Sequence, residues 1–217
     1  MDHFLARADA AEHAQRLVGL AYPSATYEQL LFPHDPPAVR HQMARDLSGC
    51  GLTCEEILRA VGADAAVLDQ PYGPRARGDR GAAPTSLTWL EQWARSVDAW
   101  VDTTTVDESR WQPLEPGDMW RLGRGNGKDA DSRWYRGPQA RFEHVGTVVE
   151  AVDDFTFGAV EGGQPGILRK ERELVIVEGE LWICVEGTPL GADGRPSKGA
   201  RVAGYLSLGS IPLREVP

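Results

Sequence analysis

The sequence predicts an α+β domain, and three observations carry that expectation. Apolar residues recur at helical spacing up to about residue 101. After Thr103 short alternating apolar runs, bounded by turn residues, take over. The two kinds of segment are separated rather than interleaved. The chain has 217 residues, enough to bury a sizeable core. Hydrophobic residues at 41% and charged residues at 25% are ordinary for a globular protein, so bulk disorder is excluded.

In chain order, residues 3–20 form an alanine-rich helix with Phe4, Leu5, Leu17, Val18 and Leu20 as its apolar positions. Residues 22–37 hold Pro23, Pro33, Pro36 and Pro37 and read as mostly irregular, with room for a short helix over 38–46. The clearest helix runs from Leu52 to Val61. Ser48-Gly49-Cys50-Gly51 forms its entry, Gly62 stops it, and Cys54, Ile57, Leu58 and Val61 make one apolar face. Residues 70–84 form a Gly/Pro/Arg-rich loop. Helical spacing returns over 85–101, with Leu90, Trp93, Val97 and Trp100 close to one stripe. Pro116-Gly117-Asp118 turns the chain into a strand at 119–122, and the polar, glycine-rich stretch 123–139 is a loop. Strands follow at 144–152, 155–160, 174–178, 181–186 and 201–208, with turns at Asp153-Asp154 and Glu178-Gly179-Glu180.

Charge and cysteine usage narrow the function classes. Asp+Glu is 32 against 23 Lys+Arg, a net charge of -9, with no basic block. Binding to nucleic acid or docking on an anionic membrane is therefore not expected. No apolar run is long enough for a transmembrane helix. The charged opening MDHFLARADAAEHAQ lacks the apolar core of a signal peptide. The expectation is synthesis in the cytoplasm without a Sec signal, and delivery to the periplasm or cell wall by a signal-independent route. Three cysteines are too few for a disulfide framework.

Several motifs suggest chemistry. Gly123-Arg-Gly-Asn-Gly-Lys128 fails as a phosphate loop, because Leu122 stands where a glycine is needed and Asp129 where Ser or Thr is needed. There is no HExxH and no CxxC. Cys50 and Cys54, one helical turn apart, are a poor start for a metal site. His3, His13, His34 and His41 read as solvated side chains. Cys54 and Cys184 read as core. Cys50 opens a helix between two glycines. There the helix dipole and free N–H groups favour a thiolate and can stabilise an oxyanion, although a small buried residue fits the same position. His144 opens an apolar strand, as a catalytic base or as a structural histidine. A cysteine opening a helix followed by a histidine opening a later strand is a nucleophile–base order.

Three segments together resemble the NlpC/P60–CHAP superfamily of papain-like cysteine peptidases and amidases. They are Ser48-Gly-Cys-Gly-Leu52 with its helix, Leu114-Glu-Pro-Gly-Asp-Met-Trp120, and His144-Val-Gly-Thr-Val-Val-Glu150 continuing to Glu161-Gly162-Gly163. The resemblance covers roughly residues 46–165. Two positions depart from the family pattern. Gly49-Cys50-Gly51-Leu52 stands for Asp-Cys-Ser-Gly, and Gly163 stands for the Asn of the family's EGN motif.

The resemblance implies a papain-like fold, with N-terminal helices packed on an antiparallel sheet of five or six strands. Residues 1–45 would be a helical segment of the same domain, and 46–217 the catalytic domain. Cys50 would be the nucleophile, His144 the base and then acid, and Glu161 the group that orients the imidazole, with no metal or organic cofactor. A hairpin turning near 153–154 also brings 161 back level with His144, while Asp153 and Asp154 stay at the far end. The implied substrate is an amide bond of peptidoglycan peptide, cleaved by a phage lysin or a secreted effector, the latter with an immunity protein as partner. Hydrolysis of another amide or ester, and a non-catalytic binding module, are the alternatives.

Overall fold

The computed structural model describes residues 3–21, 24–31, 36–38, 40–41, 49–63, 88–123, 135–136, 144–163 and 166–211. These include helices α1 (His3–Leu17), α2 (Ala25–Leu31), α3 (Gly49–Ala60) and α4 (Thr88–Ser96). They also include strands β1 (Trp100–Asp102), β2 (Met119–Leu122), β3 (Tyr135–Arg136), β4 (Val145–Ala151), β5 (Thr156–Glu161), β6 (Leu168–Val177), β7 (Glu180–Val185) and β8 (Gly199–Leu206). No described helix is long and apolar enough to cross a membrane.

The papain-like arrangement of helices on an open sheet is not what the chain adopts. Strands β2, β4, β5, β6 and β7 pair antiparallel in that order. β8 then pairs with β2 on one side and β7 on the other, closing a six-stranded barrel. β1 and the two-residue β3 add to β8 outside this ring. The physical reason is one seam, Trp182↔Arg201 and Ile183↔Ala200 between β7 and β8. Alternation along a strand sets which face is buried. It does not say whether the last strand meets one neighbour or two, so an open sheet and a closed barrel read alike in sequence.

Closure divides the core in two. The barrel interior holds Trp120, Val148, Phe157, Leu174, Leu181, Ile183 and Val202. The second core lies between the helices and the outer wall, where Ala10, Ala14, Leu17, Ile57, Leu58 and Leu90 meet Met119, Val145, Val149 and Leu206. β4 is sandwiched between the two. This explains the nearly unbroken apolar run Val145–Val149. Small residues on α1 (Ala6, Ala10, Ala14) let its backbone come close to β4.

Local elements mostly follow their sequence signals, with several differences. The helix expected over 3–20 ends at Leu17, and the stretch 123–139 that reads as a loop contains the two-residue strand β3, paired with β8. α3 starts at Gly49 rather than Leu52, so Cys50 lies in its first turn. It ends at Gly62 as expected, with φ +83 and the Ala63 N–H bonded to the Leu58 carbonyl. The proline-rich 22–37 stretch contains α2, whose Tyr27 is fully buried and bonds Thr53 at 2.8 Å. The helix expected over 85–101 stops at Ser96. Asp98 takes a left-handed φ of +56, and Trp100 continues as β1. β6 is ten residues long and begins at Leu168, six residues before the expected strand, because its first half is polar. Most of 38–46, all of 70–84 and most of 123–139 lie outside the described residues.

The Pro116-Gly117-Asp118 turn is a structural anchor. Asp118 is buried, and its carboxylate accepts from Arg7 on α1 (2.7 Å), from the Leu208 N–H (3.1 Å) and from the Glu115 N–H (3.0 Å). It thus ties α1, the entry to β2 and the exit from β8 together.

Gly146 on β4 faces Trp120 on β2, and a Cβ there would stand 2.5 Å from the indole and 3.0 Å from Glu161 Cγ. Gly146→Ala is expected to push Trp120 aside and destabilise the protein by roughly 1–3 kcal/mol. A thermal melt followed by tryptophan fluorescence reads both effects. Unchanged melting would mean that Trp120 has room to move.

Candidate functional site

The three residues expected to act together, Cys50, His144 and Glu161, come from three separate elements and converge. Cys50 sits in the first turn of α3 and is buried. His144 immediately precedes β4. Glu161 is the last residue of β5. The β4–β5 hairpin pairs Thr147 with Val160, which carries Glu161 back to the start of β4.

His144 Nε2 donates to Glu161 Oε2 at 2.9 Å, and the Cys50 thiol hydrogen-bonds the same imidazole. Because Nε2 is taken by the carboxylate, Nδ1 is the nitrogen left to the thiol. The imidazole lies edge-on to Trp120, with ring centroids 5.6 Å apart and planes at 64°. One quarter of its side chain is exposed, so the ring is reachable from outside.

Asp153 and Asp154 stand at the other end of the hairpin. Asp153 caps the turn by accepting the Phe155 and Thr156 N–H groups. It has no part in the site.

Electrostatics favour a charged imidazole. Burial pulls the His144 pKa down, but hydrogen bonds and charge from Cys50 and Glu161 outweigh it and raise it to about 9. Glu161 is almost wholly buried. Burial alone would raise its carboxyl, yet His144 and Arg172 hold it well below the usual carboxylate range. Arg172 grips it through Nε to Oε1 (2.6 Å) and Nη2 to Oε2 (2.7 Å), and Lys170 Nζ donates to Oε2 at 2.8 Å.

Lys170, Arg172 and Trp120 were not legible as site residues. The segment Leu-Arg-Lys-Glu-Arg-Glu at 168–173 reads as a polar run. The available signal was its period of two. Lys170 and Arg172 fall in phase with Leu174, which points into the barrel.

The other cysteines differ. None of the three forms a disulfide, and all are buried. Cys54 lies 3.7 Å from Thr147 Oγ1, and burial pushes its thiol far up despite that bond. Burial also raises Cys184, which faces the Glu173 carbonyl.

Limited iodoacetamide at about pH 6.5 is therefore expected to label Cys50 first, since a thiolate needs a nearby cation and neither other cysteine bonds one. Peptide mass spectrometry reads the order. Labelling of Cys54 before Cys50 would move the nucleophile one turn along α3.

Among the described residues no group of three or more His, Cys, Asp or Glu side chains could hold a metal ion. His13 is 3.5 Å from Glu56 and His41 is 2.8 Å from Glu28, both in pairs on the helical side. No family model matches the chain, and no curated protein or solved structure matches it significantly.

Proposed function

We propose that the protein is a cysteine amidohydrolase acting on the peptide of bacterial cell-wall peptidoglycan. One observation carries the chemical part of this reading. A thiol in the first turn of a helix hydrogen-bonds an imidazole whose far nitrogen is held by a buried carboxylate. That is the arrangement thiol hydrolysis requires: nucleophile, base and orienting group in line. The substrate class rests on the sequence resemblance around Cys50, the 114–120 turn and His144.

In this scheme the thiol proton already rests on His144 Nδ1, as the charged imidazole requires, and the Cys50 thiolate Sγ attacks the amide carbonyl carbon. The carbonyl electron pair moves onto oxygen, where N–H groups of the first turn of α3 can stabilise it. The C–N bond then breaks. His144 gives its proton to the departing nitrogen, and a thioester with Cys50 remains. Water attacks the thioester, losing its proton to His144, and the acid leaves as the thiolate is restored. Glu161 keeps the imidazole in one orientation throughout.

Incubation with purified sacculi, followed by chromatography of the soluble products, tests the substrate. Release of muropeptides that stops on alkylation of Cys50 supports the reading. Intact sacculi together with turnover of a small thiol-protease amide or ester would assign the same chemistry to a different substrate. Inertness toward both, with Cys50 unreactive, would leave a binding module.

A further inference from the structure

We propose that Arg172 is a positioning residue for this chemistry, fixing the His144 ring from two sides and offsetting the charge of the carboxylate behind it. This rests on the proposed roles of Cys50 and His144 and extends them to β6.

The geometry is a closed set of contacts. Arg172 binds both oxygens of Glu161, as a fork through Nε and Nη2, and Oε2 of the same carboxylate accepts from His144. Its guanidinium also lies 5.8 Å from the Trp120 ring, and Trp120 in turn packs edge-on against the imidazole. One side chain therefore holds both neighbours of His144. Only a planar, two-pronged cation can grip a carboxylate at both oxygens and lie against an indole at once. Arg172 is itself mostly buried, with 14% of its side chain exposed.

The charge argument follows. A lone buried carboxylate beside His144 would draw the proton onto the imidazole so strongly that it could not be released. Arg172 and Lys170 face that carboxylate from β6 and dilute its pull. Among the described residues, the titratable groups facing His144 are Cys50 from α3 and Glu161 from β5, with the two β6 cations behind Glu161. Cys54, further along α3, faces Thr147 instead.

The test reads His144 directly, by NMR titration of its ring signals, and needs no substrate. Arg172→Gln keeps a donor but removes the charge, so His144 is expected to titrate about one unit higher than in wild type. Arg172→Lys keeps the charge and should titrate within a few tenths of a unit of wild type. In a turnover assay it should still lose kcat with KM little changed, because the fork is gone. Lys170→Gln, at a side chain that is 39% exposed, should shift His144 upward by less. It provides the same readout if Arg172→Gln does not fold. An unmoved titration in the Gln variants, or an equal shift in Arg172→Lys, overturns the proposal. An unreactive Cys50 in the wild-type protein would defeat the hydrolase reading instead, and would leave the titration result standing.

Discussion

Cys50→Ala is expected to abolish turnover while leaving the melting temperature nearly unchanged. Removing a covalent nucleophile from a hydrolytic site costs on the order of 10⁴- to 10⁶-fold in kcat, because no other group can form the acyl intermediate. The fold has little at stake. Cys50 is at the rim of the helix-facing core, and the side chain loses one sulfur. The control is Cys54→Ser, which places a hydroxyl where a buried thiol packs against Thr147 and the wall of β4. It should cost about 1–3 kcal/mol with activity per folded molecule retained. Thermal melts and muropeptide release on both variants separate the two roles. A large drop in melting temperature for Cys50→Ala, with activity surviving, would make Cys50 a core residue.

Glu161→Ala should damage both stability and rate. The carboxylate is 1% exposed, and Arg172, itself 14% exposed, donates to it through both Nε and Nη2. Removing the anion strands a guanidinium in the barrel mouth, at a cost of about 3–5 kcal/mol. Lys170 is 39% exposed and can turn to water, so it adds little to that cost. In the folded fraction, kcat should fall roughly 10- to 10⁴-fold because the imidazole loses its orientation. Asp153→Ala should leave kcat at the wild-type value.

The same group sets a pH dependence. The Glu161 pKa is depressed in the folded state. Its stabilisation is therefore present above the ordinary carboxylate value of 4.5 and is lost as pH falls through the depressed value. His144 is raised, so its contribution is full below 6.5 and is lost as pH rises through about 9. The stability curve should be flat between these limits and fall on both sides. Glu161→Gln should remove most of the slope at the acid end, as denaturant titrations at several pH values would show.

What could be read from the sequence was local. Cys50, His144 and Glu161 each occupy an element boundary, and boundaries are marked by glycines, turns and the switch from helical to alternating spacing. A single hairpin connects His144 to Glu161, so strand geometry alone aligns them. Arg172 and Trp120 instead act between neighbouring strands of the barrel wall. Arg172 reaches Glu161 only because β6 lies next to β5 in the wall, and Trp120 reaches His144 only because β2 lies next to β4. A polar stretch such as 168–173 marks its inward side chains only by their period-two phase with Leu174, which says nothing of the carboxylate they meet. The barrel is unmarked in the sequence for the same reason. Its closure depends on β7 and β8 meeting, and neither strand carries a local mark of its second neighbour.

The seam at β8 also dictates the order in which the protein can assemble. The β4–β5, β5–β6 and β6–β7 hairpins pair neighbours in the chain and can form early, bringing His144 and Glu161 together as they do. β8 must find β1 and β2 roughly a hundred residues upstream, and Arg7 must find Ser207 across 200 positions. Such distant closures are paid in chain entropy and place folding in the range of about milliseconds to seconds. Until they are made, β2 and β7 keep open edges, and α1 and α3 have no complete wall to dock on. The thiol therefore meets its imidazole only when α3 docks, and before that Cys50 is an exposed thiol of ordinary pKa that reacts only through its minor thiolate fraction. A pulse of thiol reagent at about pH 6.5 during refolding, where a thiol of ordinary pKa reacts slowly, would catch the moment at which Cys50 becomes reactive.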